Sequence, residues 1–146
     1  MSRVYLLAAD KPLPLCNKQT ERASTSMVNG TPYTISFLRG FRVDNHTYYR
    51  HATDLLNYPI KPYQYELTLE LHEEDLIHLK QYLTENFSAG ETAELWCIWV
   101  DDCVEKPVPP HYRGRLADFD METLTQFLQP PAHHDAPGQC FLTITI

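Results

Sequence analysis

Residues 65–71, Tyr-Glu-Leu-Thr-Leu-Glu-Leu, alternate strictly, with Tyr65, Leu67, Leu69 and Leu71 on one side and Glu66, Thr68 and Glu70 on the other. Period-two alternation marks a strand with one buried and one wetted face. His72-Glu73-Glu74-Asp75 follows, placing carboxylates where a helix N-terminus presents free N–H groups. Leu76, Leu79, Leu83 and Phe87 then recur at spacings of three and four, one apolar stripe of a helix that Ser88-Ala89-Gly90 ends. Leu95 to Val100 (Leu-Trp-Cys-Ile-Trp-Val) is apolar on both faces, as expected of a strand with neighbours on either side.

The same order of signals returns further on. His111–Ala117 reads as a strand, Asp118 or Asp120 as the cap of a helix running through Leu128, and Pro130-Pro131 as its stop. Cys140–Ile146 alternates again. Leu79-Lys80-Gln81-Tyr82-Leu83 matches Leu124-Thr125-Gln126-Phe127-Leu128 in pattern, and both these segments and the preceding strand ends, Leu71 and Leu116, lie 45 residues apart. This spacing predicts an α+β fold: a mostly antiparallel sheet with two helices on one face, built on a ferredoxin-like β-α-β-β-α-β core over about residues 64–146. In that plan the first and third core strands are neighbours. The face away from the helices would then set Glu66, Thr68 and Glu70 beside His111, Arg113 and Arg115. Such a juxtaposition is either an ion-pair ladder, at about 0.2–1 kcal/mol per pair, or a polar binding face floored by Glu66, Glu70, Arg113 and Arg115.

Residues 1–63 are expected to form a β-rich extension of that core, so that residues 1–146 make a single domain. Val4–Ala9 and Tyr33–Val43 read as strands, the polar stretch Asn17–Gly30 between them as a loop, and Arg50–Tyr58 as a short helix closed by Pro59 and Pro62. A 17.0 kDa chain with 43% hydrophobic residues has material for one real core and is too apolar for disorder. No apolar run approaches the ~20 residues of a membrane span. Val4–Ala9 stops after six residues, short of the roughly 7–15 of a secretory signal. Cys16 follows Leu13-Pro14-Leu15 rather than the small residues of a lipoprotein site. A cytoplasmic protein is expected, with Cys16, Cys97, Cys103 and Cys140 reduced.

Charge divides unevenly. Residues 1–63 carry eight Lys/Arg against four Asp/Glu, whereas residues 64–146 carry four against fifteen. Either the basic part packs on the acidic part, or it forms a surface for an anionic partner. Arg39, Phe41, Arg42, Tyr48, Tyr49, Arg50 and His51 interleave cations with rings, a composition suited to a protein interface, to an anionic small ligand held by Arg39, Arg42 and Arg50, or to intramolecular packing.

Catalytic signals are sparse. Glu74 or Asp75 shares a helix face with His78, but the two further ligands of a closed zinc site have no candidates at the required spacing, and His133-His134-Asp135 lies in a proline-flanked loop, so no metal is expected. Asp101-Asp102-Cys103 follows the apolar strand, with His111 eight residues on. A small enzyme would use His111 with Cys103 or with Asp101/Asp102 in nucleophilic or acid–base chemistry, although two aspartates disfavour a thiolate. Five glycines form no phosphate-binding motif, and no cofactor is implied. Arg39-Gly40-Phe41 opens like the aromatic strand of an RNA-recognition module, but Arg42, Val43 and Asp44 break the pattern, which excludes sequence-specific nucleic acid. The reading is a non-catalytic binding or protein-interaction domain whose partner is a second copy, as a dimer, or another protein.

Overall fold

A computed structural model describes residues 2–47, 50–55, 58–100, 109–132 and 138–146. The strands are β1 (Ser2–Ala9), β2 (Cys16–Asn17), β3 (Thr20–Val28), β4 (Thr31–Arg39), β5 (Arg42–Asn45), β6 (Tyr63–Thr68), β7 (Thr92–Val100), β8 (His111–Arg115) and β9 (Cys140–Thr145). The helices are α1 (Arg50–Leu55), α2 (Glu73–Asn86) and α3 (Met121–Leu128), with a 3₁₀ turn at Leu116–Asp118. Seven strands form one sheet in the order β2-β5-β6-β1-β7-β9-β8, antiparallel except for β8 against β9, and β3 pairs with β4 alone. The fold is therefore α+β, with a mostly antiparallel mixed sheet.

The β-α-β-β-α-β sequence of elements over residues 63–145 is present, but the strand order corrects the expected ferredoxin-like adjacency. The slot beside β6 is filled by β1, and β8 lies at the opposite edge, next to β9. Side-chain chemistry explains the difference. Val4-Tyr5-Leu6-Leu7-Ala8-Ala9 is apolar on both faces, and Leu6 to Ala9 are all 0% exposed, so this strand needs a neighbour on each side and cover above and below. His-Tyr-Arg-Gly-Arg of β8 is exposed throughout, a composition suited to an edge. The N-terminal segment thus both extends the sheet, through β1, β2 and β5, and covers its second face, where Tyr58 and Ile60 pack.

One face of the sheet carries the main core. Leu7, Val43, Leu67, Leu95, Cys97, Leu142 and Ile144 meet Leu79, Tyr82 and Leu83 of α2 and Leu124, Phe127 and Leu128 of α3. Helix ends follow local chemistry. His72 Nδ1 accepts from the Glu74 N–H at the start of α2, and Asp120 Oδ1 accepts from Thr123 N–H at 2.9 Å at the start of α3. At the other end of α3, Arg3 and Tyr5 both donate to the Leu128 carbonyl, and the Arg3 guanidinium lies 4.7 Å from the Trp99 ring centre.

The expected loop at Asn17–Gly30 is a strand instead. β3 and β4 form a hairpin over nine residue pairs, turned at Asn29-Gly30 with φ of 51° and 78°. Positive φ at both central residues gives the tight turn whose twist matches the strands. The expected strand Tyr33–Val43 breaks at Gly40, whose φ is 131°. A Cβ there would lie 3.0 Å from the Lys18 carbonyl and 3.1 Å from the Gln19 Cα. This glycine lets the hairpin leave the sheet while the Lys18 N–H still reaches the Phe41 carbonyl at 2.8 Å.

Candidate functional site

On the sheet face away from α2 and α3, strand register aligns six residues across the molecule: Asp44, Glu66, Leu6, Trp96, Phe141 and His111. Glu66 and the β8 residues thus share the predicted face. They are not adjacent, because β1, β7 and β9 intervene, a separation of about 19 Å at about 4.8 Å per strand. The proposed floor of Glu66, Glu70, Arg113 and Arg115 is divided by a dry centre in which Leu6, Trp96 and Ile98 are fully buried. The expected Glu66/Glu70 pairing with Arg113/Arg115 is corrected accordingly, and Glu70 pairs with Arg39 at 3.2 Å.

A row of rings runs from the exposed β8 edge into this dry centre, where Phe141 and Trp96 are buried. His111 stacks on Phe141 at 4.0 Å, Phe141 on Trp96 at 4.0 Å, and Tyr58 lies 6.0 Å beyond, all near-parallel. His111 also shares a 2.7 Å hydrogen bond with Thr143. Buried Glu94 accepts from the Lys61 N–H at 2.8 Å, tying the covering segment to β7. At the other side of the row, burial and then the Asp44 carboxylate push the Glu66 carboxyl above its ordinary range, with Arg42 opposing. Nearby His46 is buried, shares a 2.7 Å hydrogen bond with Thr53, and leaves Nδ1 without a hydrogen-bond partner among the described residues. Burial, with Arg50 second, holds its imidazole below its ordinary pKa.

The three arginines considered for an anionic ligand each meet a carboxylate: Arg39 with Glu70, Arg42 with Asp44 and Arg50 with Asp54 at 3.3 Å. Lys11–Glu91, Arg22–Glu74 and Arg39–Glu70 join the basic N-terminal part to the acidic remainder, the intramolecular account of the charge split. Tyr48, Tyr49, Asp101, Asp102, Cys103 and His133-His134-Asp135 lie outside the described residues. Cys16, Cys97 and Cys140 are free thiols, and burial pushes the last two up to about 11 and about 12, far from a thiolate at neutral pH. His78 is half-buried, 6.4 Å from the Phe41 ring, and among the described residues no group of three His, Cys, Asp or Glu side chains could hold a metal ion.

Two grooves open on the surface. One, of about 360 Å³, lies between β8, β9 and α3 and is lined by Tyr112, Asp118, Phe119, Thr123 and Leu142. The other, of about 440 Å³, separates the base of the hairpin from the start of α2, with Lys18, Arg22 and Arg39 facing Glu70, Glu74 and His78.

The hairpin is the surface that the sequence reading missed. Of its eighteen strand residues only Phe37 is half-buried, and the rest are exposed. Met27, Val28, Tyr33, Ile35 and Leu38 supply five of the ten exposed large hydrophobics among the described residues. Residues 23–36 carry no charged side chain, in a chain that is 21% charged. On one face Tyr33, Ile35 and Phe37 form a stripe facing Ser26, Ser24 and Arg22; on the other, Leu38, Met27 and Pro32 flank Ala23, Thr25, Thr34 and Ser36. The arm is rooted through Arg22–Glu74, Arg39–Glu70 and the burial of Phe41 beside Tyr82. The signal that could have found it was Asn29-Gly30 between Thr-rich runs, the strongest short-range hairpin signature. No family model, curated protein or solved structure matches this chain.

Proposed function

We propose that this chain is a non-catalytic protein-interaction domain whose seven-stranded body presents the β3–β4 arm to a protein partner. The observation that carries the reading is the arm itself: nine residue pairs, uncharged over its outer part and exposing Met27, Val28, Tyr33 and Ile35 there, standing free of the core that could have covered it. A two-stranded hairpin alone is at best marginally stable in water, and natural edge strands are normally guarded by charge. An arm lacking both supports gains order by being covered. A photoreactive side chain at Ile35, compared with one at exposed Glu85 on α2, tests this in the cells that make the protein. Discrete protein adducts are expected from position 35 and not from 85. Equal or absent labelling at the two positions overturns the reading.

A further inference from the structure

We infer that the partner of the arm is a second copy of this chain, joined antiparallel through the outer edge of β3 about a two-fold axis at Thr25. The inference rests on the reading of the arm as a protein-binding element and specifies its occupant.

The hydrogen-bonding parity of the hairpin decides which edge is open. A two-residue Asn29-Gly30 turn makes Val28–Thr31 a bonded pair, and alternation then bonds Ser26–Tyr33, Ser24–Ile35 and Arg22–Phe37 inward. The N–H and C=O groups of Glu21, Ala23, Thr25 and Met27 therefore point outward from β3, and those of Pro32, Thr34, Ser36 and Leu38 outward from β4. Pro32 has no N–H, which blunts the β4 edge near the turn. The β3 edge has no proline, and among the described residues its sheet contains no third strand.

That edge is complementary to itself. About Thr25, the run Ala23-Ser24-Thr25-Ser26-Met27 places Thr25 opposite its own copy, Ser24 opposite Ser26 and Ala23 opposite Met27. Arg22 then meets Val28 and Glu21 meets Asn29, so no like charges face each other. The net charge of −7 makes two bodies repel at close range. An arm of nine residue pairs, about 30 Å long and uncharged over residues 23–36, lets two copies pair while their acidic bodies stay apart. An isologous contact of this kind closes on itself as a dimer.

The test is sedimentation equilibrium of the full chain over a wide concentration range, with amide exchange read residue by residue. The expected species has twice the 17.0 kDa chain mass, and the amides of Ala23, Thr25 and Met27, unbonded within one hairpin, become protected as the dimer forms. Thr25→Lys sets two like charges opposite each other and is expected to weaken the dimer about tenfold or more, less so in high salt. Thr34→Lys alters the directly paired residue on the same arm face but not the β3 edge, and is expected to leave association unchanged. A monomer at all concentrations overturns the inference. So does a dimer that Thr34→Lys weakens as much as Thr25→Lys, or one in which those three amides stay unprotected. Adducts from position 35 to a different protein, with the purified chain monomeric, overturn self-pairing while leaving the arm as a protein-binding element.

Discussion

Gly40 is the residue on which the arm turns out of the sheet. Its φ of 131° is a conformation that L side chains rarely adopt, and an added Cβ would press on the Lys18 carbonyl. Gly40→Ala is expected to cost about 1–3 kcal/mol, read as a lowered urea midpoint with the slope unchanged. His46 sets a different dependence. Its folded state resists a proton that the unfolded chain takes up near 6.5, so the unfolded state binds more protons below that pH. Stability is expected to fall as pH drops from 7 through the window just below 6.5. His46→Gln, which keeps a group able to bond Thr53 but cannot titrate, should flatten that slope in denaturant melts at pH 7, 6 and 5. An unchanged slope would remove His46 as its cause.

At the scale of elements, the arm and the body make separate contributions to stability. No residue of β3 or β4 belongs to either buried apolar cluster, and the chain enters and leaves the arm where Lys18 N–H meets the Phe41 carbonyl. Replacing residues 20–39 by a two-residue Asn-Gly turn is expected to leave the body folded, with a melting temperature within a few degrees of the parent, as ΔΔG values near 1 kcal/mol imply for this size. Calorimetry on the shortened chain checks it, and loss of the cooperative transition would show that the arm is structural. The elements differ in how far their sequences revealed them. The strand read at Tyr65–Leu71 was legible through buried Tyr65, Leu67 and Leu69, although it ends at Thr68 and leaves Leu71 exposed. The Leu76–Phe87 stripe was legible from its period of three to four, and Asp120 because a cap acts within three residues. Half of the arm was legible, since Tyr33-Thr34-Ile35-Ser36-Phe37 alternates and reads as a strand, but β3 was not, because Thr20–Val28 buries no face and shows no apolar–polar alternation. Its information sits in a two-residue turn.

For the whole molecule, pairing could not be read from local pattern. β1 and the β7 segment are both apolar runs, and nothing within either specifies that β1 lies between β6 and β7. That placement follows from burying both faces of Val4–Ala9, a demand of the assembled sheet. The ring row is likewise visible only across strands, where Phe141 joins His111 of β8 to Trp96 of β7. Phe141→Ala is expected to cost about 3–5 kcal/mol, measured by urea melts, because it empties a buried site shared by three strands. His111→Ala, at an exposed edge, should cost far less. The central position of β1 also carries a consequence in time. Its partners run from Tyr63 to Val100, so a ribosome adding about 5–20 residues per second leaves the first strand waiting for seconds before its second neighbour is synthesised. During that interval Val-Tyr-Leu-Leu-Ala-Ala is an unsatisfied apolar segment, and nascent chains of this protein should depend on chaperone shielding until Thr92–Val100 has been synthesised.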